Sequence, residues 1–423
     1  MPDRMRWYAL GLLAFAYTCQ SIDRQIIAVV IEPIKQEFKV DDLAMGFLGG
    51  LAYTSTFALA CVPAGWLIDR MKRRVFLASL LTIWSALTLL CGFAGGYVSL
   101  LALRMGVGAS EAGAQPACIS LISDFFRPRQ RSSVIGYFYL SPAIGISLSF
   151  FVGGLIAAHF GWRAAFFIAG LPGILIAVVI ATTLREPLRG NFEPQPATTA
   201  TLRQVLTQVR ATPALIHLTL GMTLTSLTVT AMWLWMTSLL IRVHGLGLSH
   251  ADTIVALAAS TSALGSVIAG RVADRISQKH TSRLMIVPIA TSLICVPFGI
   301  GLAYAPGLSL ACLCLGGTAF ALGGFLGPCY STAMLLAPSG MRGVIAAALQ
   351  MSINLLGAGL GPMFLGALSD LFGGTHSLQP AMALTMVFNL WAALHFFLCY
   401  RANTPNAASP DKVGMAWGAA DAI

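Results

Sequence analysis

Charge is what this sequence most conspicuously lacks. Of its 423 residues 10% are Asp, Glu, Lys or Arg, 57% are hydrophobic, and the mean hydropathy is +0.78. A water-facing surface on a chain of this length needs roughly a quarter charged residues, so a soluble globular protein is excluded. Acids are scarcer than bases, 16 against 26, for a net charge of +10. The surplus sits in short segments between apolar runs, as topology signals do, and no nucleic-acid partner is expected. No Gly-x-x-x-x-Gly-Lys-Ser/Thr segment occurs, which argues against an ATP-driven pump. The nine cysteines contain neither a Cys-x-x-Cys pair nor a Cys/His array. Cys91, Cys118, Cys295, Cys312 and Cys314 fall inside apolar runs and read as packing thiols. Neither a metal nor a cofactor is expected. An enzyme would need a converging nucleophile or metal cluster, and the sequence offers neither.

What the sequence has is apolar runs of about 20 residues, each long enough to cross a bilayer core. Inside lipid the backbone must satisfy its own hydrogen bonds, which leaves helices or a closed barrel. Barrel strands alternate over about ten residues, and these runs do not alternate. The expectation is an all-α membrane protein with twelve spans, at 7–32, 43–68, 75–95, 97–122, 131–158, 163–184, 213–241, 250–272, 283–304, 308–336, 343–369 and 379–400. Residues 1–184 then form one six-helix half and 213–401 the other. The polar stretch 185–212 is a cytoplasmic linker, and 402–423 an aperiodic, disordered tail. The basic start, Met1 to Arg6, leads into a run too long for a signal peptide and without a small-residue cleavage site, so a retained first helix is expected.

Orientation follows from the basic residues. With the N-terminus inside, inward loops and termini hold 20 of the 26 Lys and Arg, and outward loops hold four: Lys35, Lys39, Arg163 and Arg242. Arg24 and Arg104 lie within spans. Such an asymmetry places both termini in the cytoplasm, and the chain in the cytoplasmic membrane.

Two halves are also written as a repeat. Gly65-Trp66-Leu67-Ile68-Asp69-Arg70 returns 205 residues later as Gly270-Arg271-Val272-Ala273-Asp274-Arg275. Ser141-Pro142 in span five has an echo in Gly361-Pro362 of span eleven. Gly65-x-x-x-Asp69-Arg70-x-x-Arg73-Arg74 resembles the cytoplasmic signature of the major facilitator superfamily, and Arg104-x-x-x-Gly108 and Gly161-Trp162-Arg163 resemble further patterns of it. Ser21-Ile22-Asp23-Arg24-Gln25, Glu32-Pro33-Ile34-Lys35, Gly108-Ala109-Ser110-Glu111-Ala112 and Leu184-Arg185-Glu186-Pro187 resemble Spinster-like transporters. The resemblance implies two pseudo-symmetric six-helix halves that rock about a site near the membrane midplane. One departure is Ser141-Pro142 where the antiporter motif has Gly-Pro, which leaves the coupling direction open.

Ionisable groups inside a bilayer are costly, so each is a functional candidate. Asp23 and Glu111 are the acids well inside spans; the second-half spans are read as carrying none. At about 1.5 Å per residue Asp23 and Arg24 lie roughly 14 Å deep, Arg104 roughly 10 Å and Glu111 roughly 21 Å. Arg104 and Glu111, seven apart, share a helix face. If spans one and four face each other, as in the resembled fold, the four groups form one central cluster. That cluster is either a proton switch, with Asp23 and then Glu111 as carrier, or a static ion-pair network. The resemblance points to the same two acids.

The segment Gly65, Asp69, Arg70, Arg73, Arg74 and its echo Gly270, Asp274, Arg275 read as a cytoplasmic gate. Gly65 permits close approach, and each Asp meets the positive end of a helix in the other half. The same cations also serve topology. In span seven Thr219, Thr223, Ser226 and Thr230 recur at helical spacing; Gln350 and Asn354 share a face of span eleven. These groups, Thr223, Gln350 and Asn354 above all, either bind substrate or join helices. Trp233 and Trp235 read as interfacial anchors, and His217 and His395 as packed.

The sequence thus describes a monomeric secondary transporter whose partners are protons, the bilayer and a small solute. Spinster-like resemblance favours a lysophospholipid or sphingoid-type lipid, with Arg24 and Arg104 holding its headgroup. The alternative cargo is a small organic anion; a transporter-derived channel or sensor is the rival of another class.

Overall fold

The computed structural model describes residues 3–189, 202–278, 280–338 and 341–404. The tail beyond residue 404 and most of the linker, 190–201, therefore lie outside the described residues, as does the side chain of Asp69. Among the described residues the chain is helical throughout, without strands. Ten helices are long and apolar enough to cross a membrane, and they fall on the expected spans two, three and five to twelve. Spans one and four miss that criterion for a physical reason. Span one, Asp3–Phe38, is 36 residues long, but Gln20, Asp23 and Arg24 dilute its apolar middle. Span four is broken after Glu111 into Tyr97–Glu111 and Ala114–Phe125. The two spans that look least like membrane helices are thus the ones that carry the embedded charges.

The repeat extends from sequence into backbone irregularities. Span five winds into a π-helical turn at Ser149–Gly153, and span eleven does so at Ile353–Ala358, 204 residues on. Packing repeats too. A side chain at Gly145 would strike Thr18 and Ser21 of span one; one at Gly357 would strike Thr223 and Ser226 of span seven. Those two hydroxyl pairs are 205 residues apart, the offset of the sequence repeat.

Buried apolar side chains show how the halves sit. At the charge-poor end of the bundle, one cluster draws on both halves, with Ile26, Val30, Met45 and Leu48 against Trp235, Leu239 and Leu365. At the basic end there are two separate clusters, one from residues 9–184 and the other from 214–399. The halves are therefore joined at the charge-poor end and parted at the basic end. Glycines make the joint close. A Cβ at Gly46 would lie 2.4 Å from the carbonyl oxygen of Pro362, and one at Gly366 would lie 2.3 Å from that of Asp42. By contrast Gly65 and Gly270 have open space around them, so the close approach expected of Gly65 is not made in this state.

The Gly161-Trp162-Arg163 segment turns the chain between spans five and six. Gly161 takes φ +84°, a left-handed conformation that suits glycine. Arg163 then donates to both oxygens of Glu37, at 2.8 and 2.7 Å, and Trp162 Nε1 donates at 2.7 Å, fastening span six to the end of span one.

Candidate functional site

A cavity of about 280 Å³ lies between the halves, at the low end of the range for small-molecule pockets. Spans one, two and four contribute Gln20, Arg24, Tyr53 and Arg104; the second half contributes Val229, Thr230, Trp233 and Leu234. Arg24 and Arg104 are the charged residues of this lining, which contains no carboxylate. The site is therefore positive on the first-half side and apolar on the other.

Tyr53 organises the positive side. The guanidinium of Arg24 sits 5.1 Å from its ring centroid and that of Arg104 5.6 Å, within cation–π range. Arg24 also lies 5.8 Å from the Phe57 ring. The Tyr53 hydroxyl donates to Glu111 Oε2, which also accepts from Gln20 Nε2 at 3.1 Å. Span four reaches this position because Gly108 has no side chain: a Cβ there would lie 2.4 Å from the Tyr53 carbonyl oxygen. Glu111 thus stands behind the cavity wall and touches both arginines only through Tyr53.

Asp23 faces the other way. It is fully buried and does not line the cavity. Arg104 donates at 2.9 Å to its backbone carbonyl, not to its carboxyl group. Both carboxyl oxygens lack a hydrogen-bond partner. They face Trp84 Nε1 and Thr88 Oγ1 of span three, buried donors that bond to nothing else and are placed to serve this carboxyl group after a small adjustment. The four embedded groups do gather where spans one, two and four meet, yet neither acid forms an ion pair with either arginine. The static ion-pair network considered from sequence is not what the structure contains.

For the span-seven hydroxyls the structure shows the helix-joining alternative, and other sequence expectations need correction. Thr223 and Ser352 share a hydrogen bond of 2.9 Å, and Ser226 donates to the Ile353 carbonyl at 3.2 Å. Both belong to the seam between spans seven and eleven, and only Thr230 of that row lines the cavity. Gln350 accepts from Tyr330, and neither it nor Asn354 borders the cavity. Trp233 and Trp235 are not interfacial anchors. Trp233 lines the cavity, and Trp235 is fully buried with Nε1 donating to the Pro362 carbonyl at 3.1 Å. Their long apolar helix turns that face inward. The second half also has a buried membrane acid, Asp252, which the sequence reading overlooked because it stands only two residues inside its span. His217 and His395 pack on each other, with Nδ1 atoms 3.0 Å apart.

The residues expected from sequence to gate lie at the basic end, and a second charged network lies at the other. At the basic end Arg73 donates through Nε to Glu186 at 3.0 Å and through Nη1 to Asp124 at 2.5 Å. The backbone N–H of Arg74 donates to Glu186 at 2.8 Å. These contacts brace the first half internally. Arg70 stacks on Trp66, 3.8 Å from its ring. At the charge-poor end lies a latch that sequence reading missed. Arg242 of span seven donates to both carboxyl oxygens of Asp42, at 2.7 and 2.8 Å, and to Glu32 at 2.8 Å. Lys35 and Ser369 also donate to Asp42. Asp370 accepts from the backbone N–H groups of Asp42 and Leu43 at 3.0 and 2.7 Å, capping the start of span two from the opposite half.

Comparison with known proteins adds to this picture. The model of the Major Facilitator Superfamily matches residues 13–362. An MFS-type efflux pump of Mycolicibacterium smegmatis is 26% identical over 369 residues, 87% of this chain and 85% of that protein. A sphingosine-1-phosphate transporter of Danio rerio is 26% identical over 304 residues, 68% of this chain and 60% of that protein. A solved bacterial homolog of the human lysosomal transporter Spinster, in an inward-facing and unoccupied conformation, has TM-score 0.87 and 26% identity, covering 96% of this chain and 100% of that one.

Proposed function

We propose that this chain, which belongs to the major facilitator superfamily and is Spinster-like, is a proton-coupled transporter of an amphiphile carrying one anionic or zwitterionic headgroup. The observation that carries the reading is the two-sided cavity, with two arginines and no carboxylate on one wall and Val229, Trp233 and Leu234 on the other. Guanidinium groups bind carboxylate or phosphate in a bidentate way. An apolar chain against the second wall gains about 0.8 kcal/mol per buried methylene.

The charge asymmetry makes the basic end cytoplasmic, so the structure is the inward-open member of the cycle. The Arg242–Asp42 latch then closes the outside. Asp69, Arg70, Asp274 and Arg275, with Gly65 and Gly270, act in the opposite state, when the cytoplasmic ends meet. Coupling falls to Asp23 first and Glu111 second. A fully buried carboxylate with no ion-pair partner is costly when charged, even beside the donors Trp84 and Thr88, and the neutral acid avoids that cost. Movement of span one against span three alters what surrounds Asp23, hence its hold on the proton. Arg104, bonded to the Asp23 backbone, links that step to the cavity.

The test is binding by the purified protein of a series with one headgroup and increasing chain length. Affinity should rise severalfold for each added methylene until the cavity is full. Flat affinity along the series, together with binding of short carboxylates, would reject the lipid and favour a small organic anion.

A further inference from the structure

Asp252 belongs to none of the machinery described so far. It lies one turn into span eight, Leu248–Ser277, and is fully buried. Its Oδ1 accepts from Thr237 of span seven at 2.7 Å, while Oδ2 is buried and has no partner. The lid over it comes from the other half. Gly154 of span five lies so close that a Cβ there would be 2.5 Å from the Asp252 Cβ and 2.7 Å from Oδ2. This contact belongs to the joint between the halves at the charge-poor end, the joint that must part when the other side of the membrane gains access.

We infer that Asp252 is a second proton-binding site, sealed under Gly154 while the charge-poor end is closed and open to the outside solution when that end parts. While sealed, the carboxyl has one donor and a bare oxygen, an arrangement suited to the neutral acid. Once span five withdraws, water can solvate the anion, the O–H bond breaks, and the proton passes to that water. Resealing takes a proton up again. Opening of this end therefore releases one proton from Asp252, and by linkage a higher external pH favours opening.

The surroundings leave this acid without a charged neighbour to hold it ionised. On the elements packed there, the titratable side chains toward this end are Arg242 and His244 of span seven, His159 of span five, His250 of its own helix, Tyr304 of span nine, and Cys312 and Cys314 of span ten; Arg271, Asp274 and Arg275 of its own helix, Cys295 of span nine and His217 of span seven lie farther along. None bonds to the Asp252 carboxyl: Arg242 is engaged by Asp42 and Glu32, and His159 by the Leu155 carbonyl. Gly154 fits the same role, since any larger residue would hold the lid off the acid.

The inference rests on alternation of the two halves and not on the identity of the cargo. Its test reads conformation, so failure of the lipid reading leaves it standing. Spin labels on F160C and G247C, both exposed ends of spans five and eight, report the separation in the full chain, with native cysteines replaced, in nanodiscs. The background is Asp23→Asn, which removes the proton site of span one. The open population should grow as pH rises from about 5 to about 9, and adding Asp252→Asn should diminish the response, leaving only what Glu111 contributes. Asp252→Glu should retain one. An identical pH response with and without Asp252→Asn overturns the inference. If that variant does not fold, Thr237→Val serves. Loss of the donor should raise the midpoint by about one pH unit, and an unmoved midpoint overturns the inference equally.

Discussion

Arg242 and Asp42 stand 200 residues apart in the chain and meet as a two-bond ion pair, Nη1 to Oδ2 at 2.7 Å and Nη2 to Oδ1 at 2.8 Å. One lies in span seven and the other at the start of span two, so the pair ties the two halves together. Its side chains are 14% and 3% exposed, which protects it from the solvent screening that weakens surface pairs. Glu32, Lys35 and Ser369 complete a network around it.

Arg242→Ala should release this end of the bundle. Removing one partner of a buried pair leaves its carboxylates uncompensated, though Lys35 and Ser369 still serve Asp42. The cost to the closed state is about 2 kcal/mol, roughly a thirtyfold change in the ratio of the two states. Distances between labels on the outer ends of spans one and seven measure it. A distribution identical to that of the unaltered chain would leave the pair without a gating role.

Asp23→Asn is near-isosteric and cannot titrate. Asp23 faces the donors Trp84 Nε1 and Thr88 Oγ1, and the amide oxygen of Asn can still accept from them, so folding should survive. In proteoliposomes, transport driven by a pH gradient should fall to background, while downhill exchange of the same cargo persists. Retention of full gradient-driven transport would move the coupling role to Glu111, whose Gln variant is then the next measurement.

Gly108 and Gly65 separate a packing glycine from a gating one. At Gly108 a methyl group meets backbone, the Tyr53 carbonyl, so span four must shift. Gly108→Ala should cost about 1–3 kcal/mol of stability, seen as a lowered unfolding temperature. Gly65 has open space here, so Gly65→Leu should leave that temperature nearly unchanged. It should instead hinder approach of the basic ends of the two halves and enrich the state in which they are parted, as distance measurements would show. Normal closure in Gly65→Leu would reduce the segment to a topology signal.

The local chemistry of the chain was enough to fix the membrane class, the spans and the repeat. Hydrophobic length is a property of consecutive residues, and bilayer thickness converts it directly into candidate spans. Embedded charge was equally legible: Asp23, Arg24, Arg104 and Glu111 stand out in any apolar run, and the helical period puts Arg104 and Glu111 on one face. What the period cannot say is what that face meets. Arg24 and Arg104 turned to the cavity while Asp23 turned to Trp84 and Thr88, although Asp23 and Arg24 are neighbours in sequence. The hydroxyls of span seven could equally bind substrate or join helices, and Thr223 and Ser226 bond across to span eleven. By sequence Arg242 falls in an outward loop, Asp42 and Asp252 draw no attention beside span ends, and only packing against other spans buries them. Helix formation in a membrane is a local necessity; the rotation of each helix, and the partner its charges find, depend on side-chain packing between segments hundreds of residues apart.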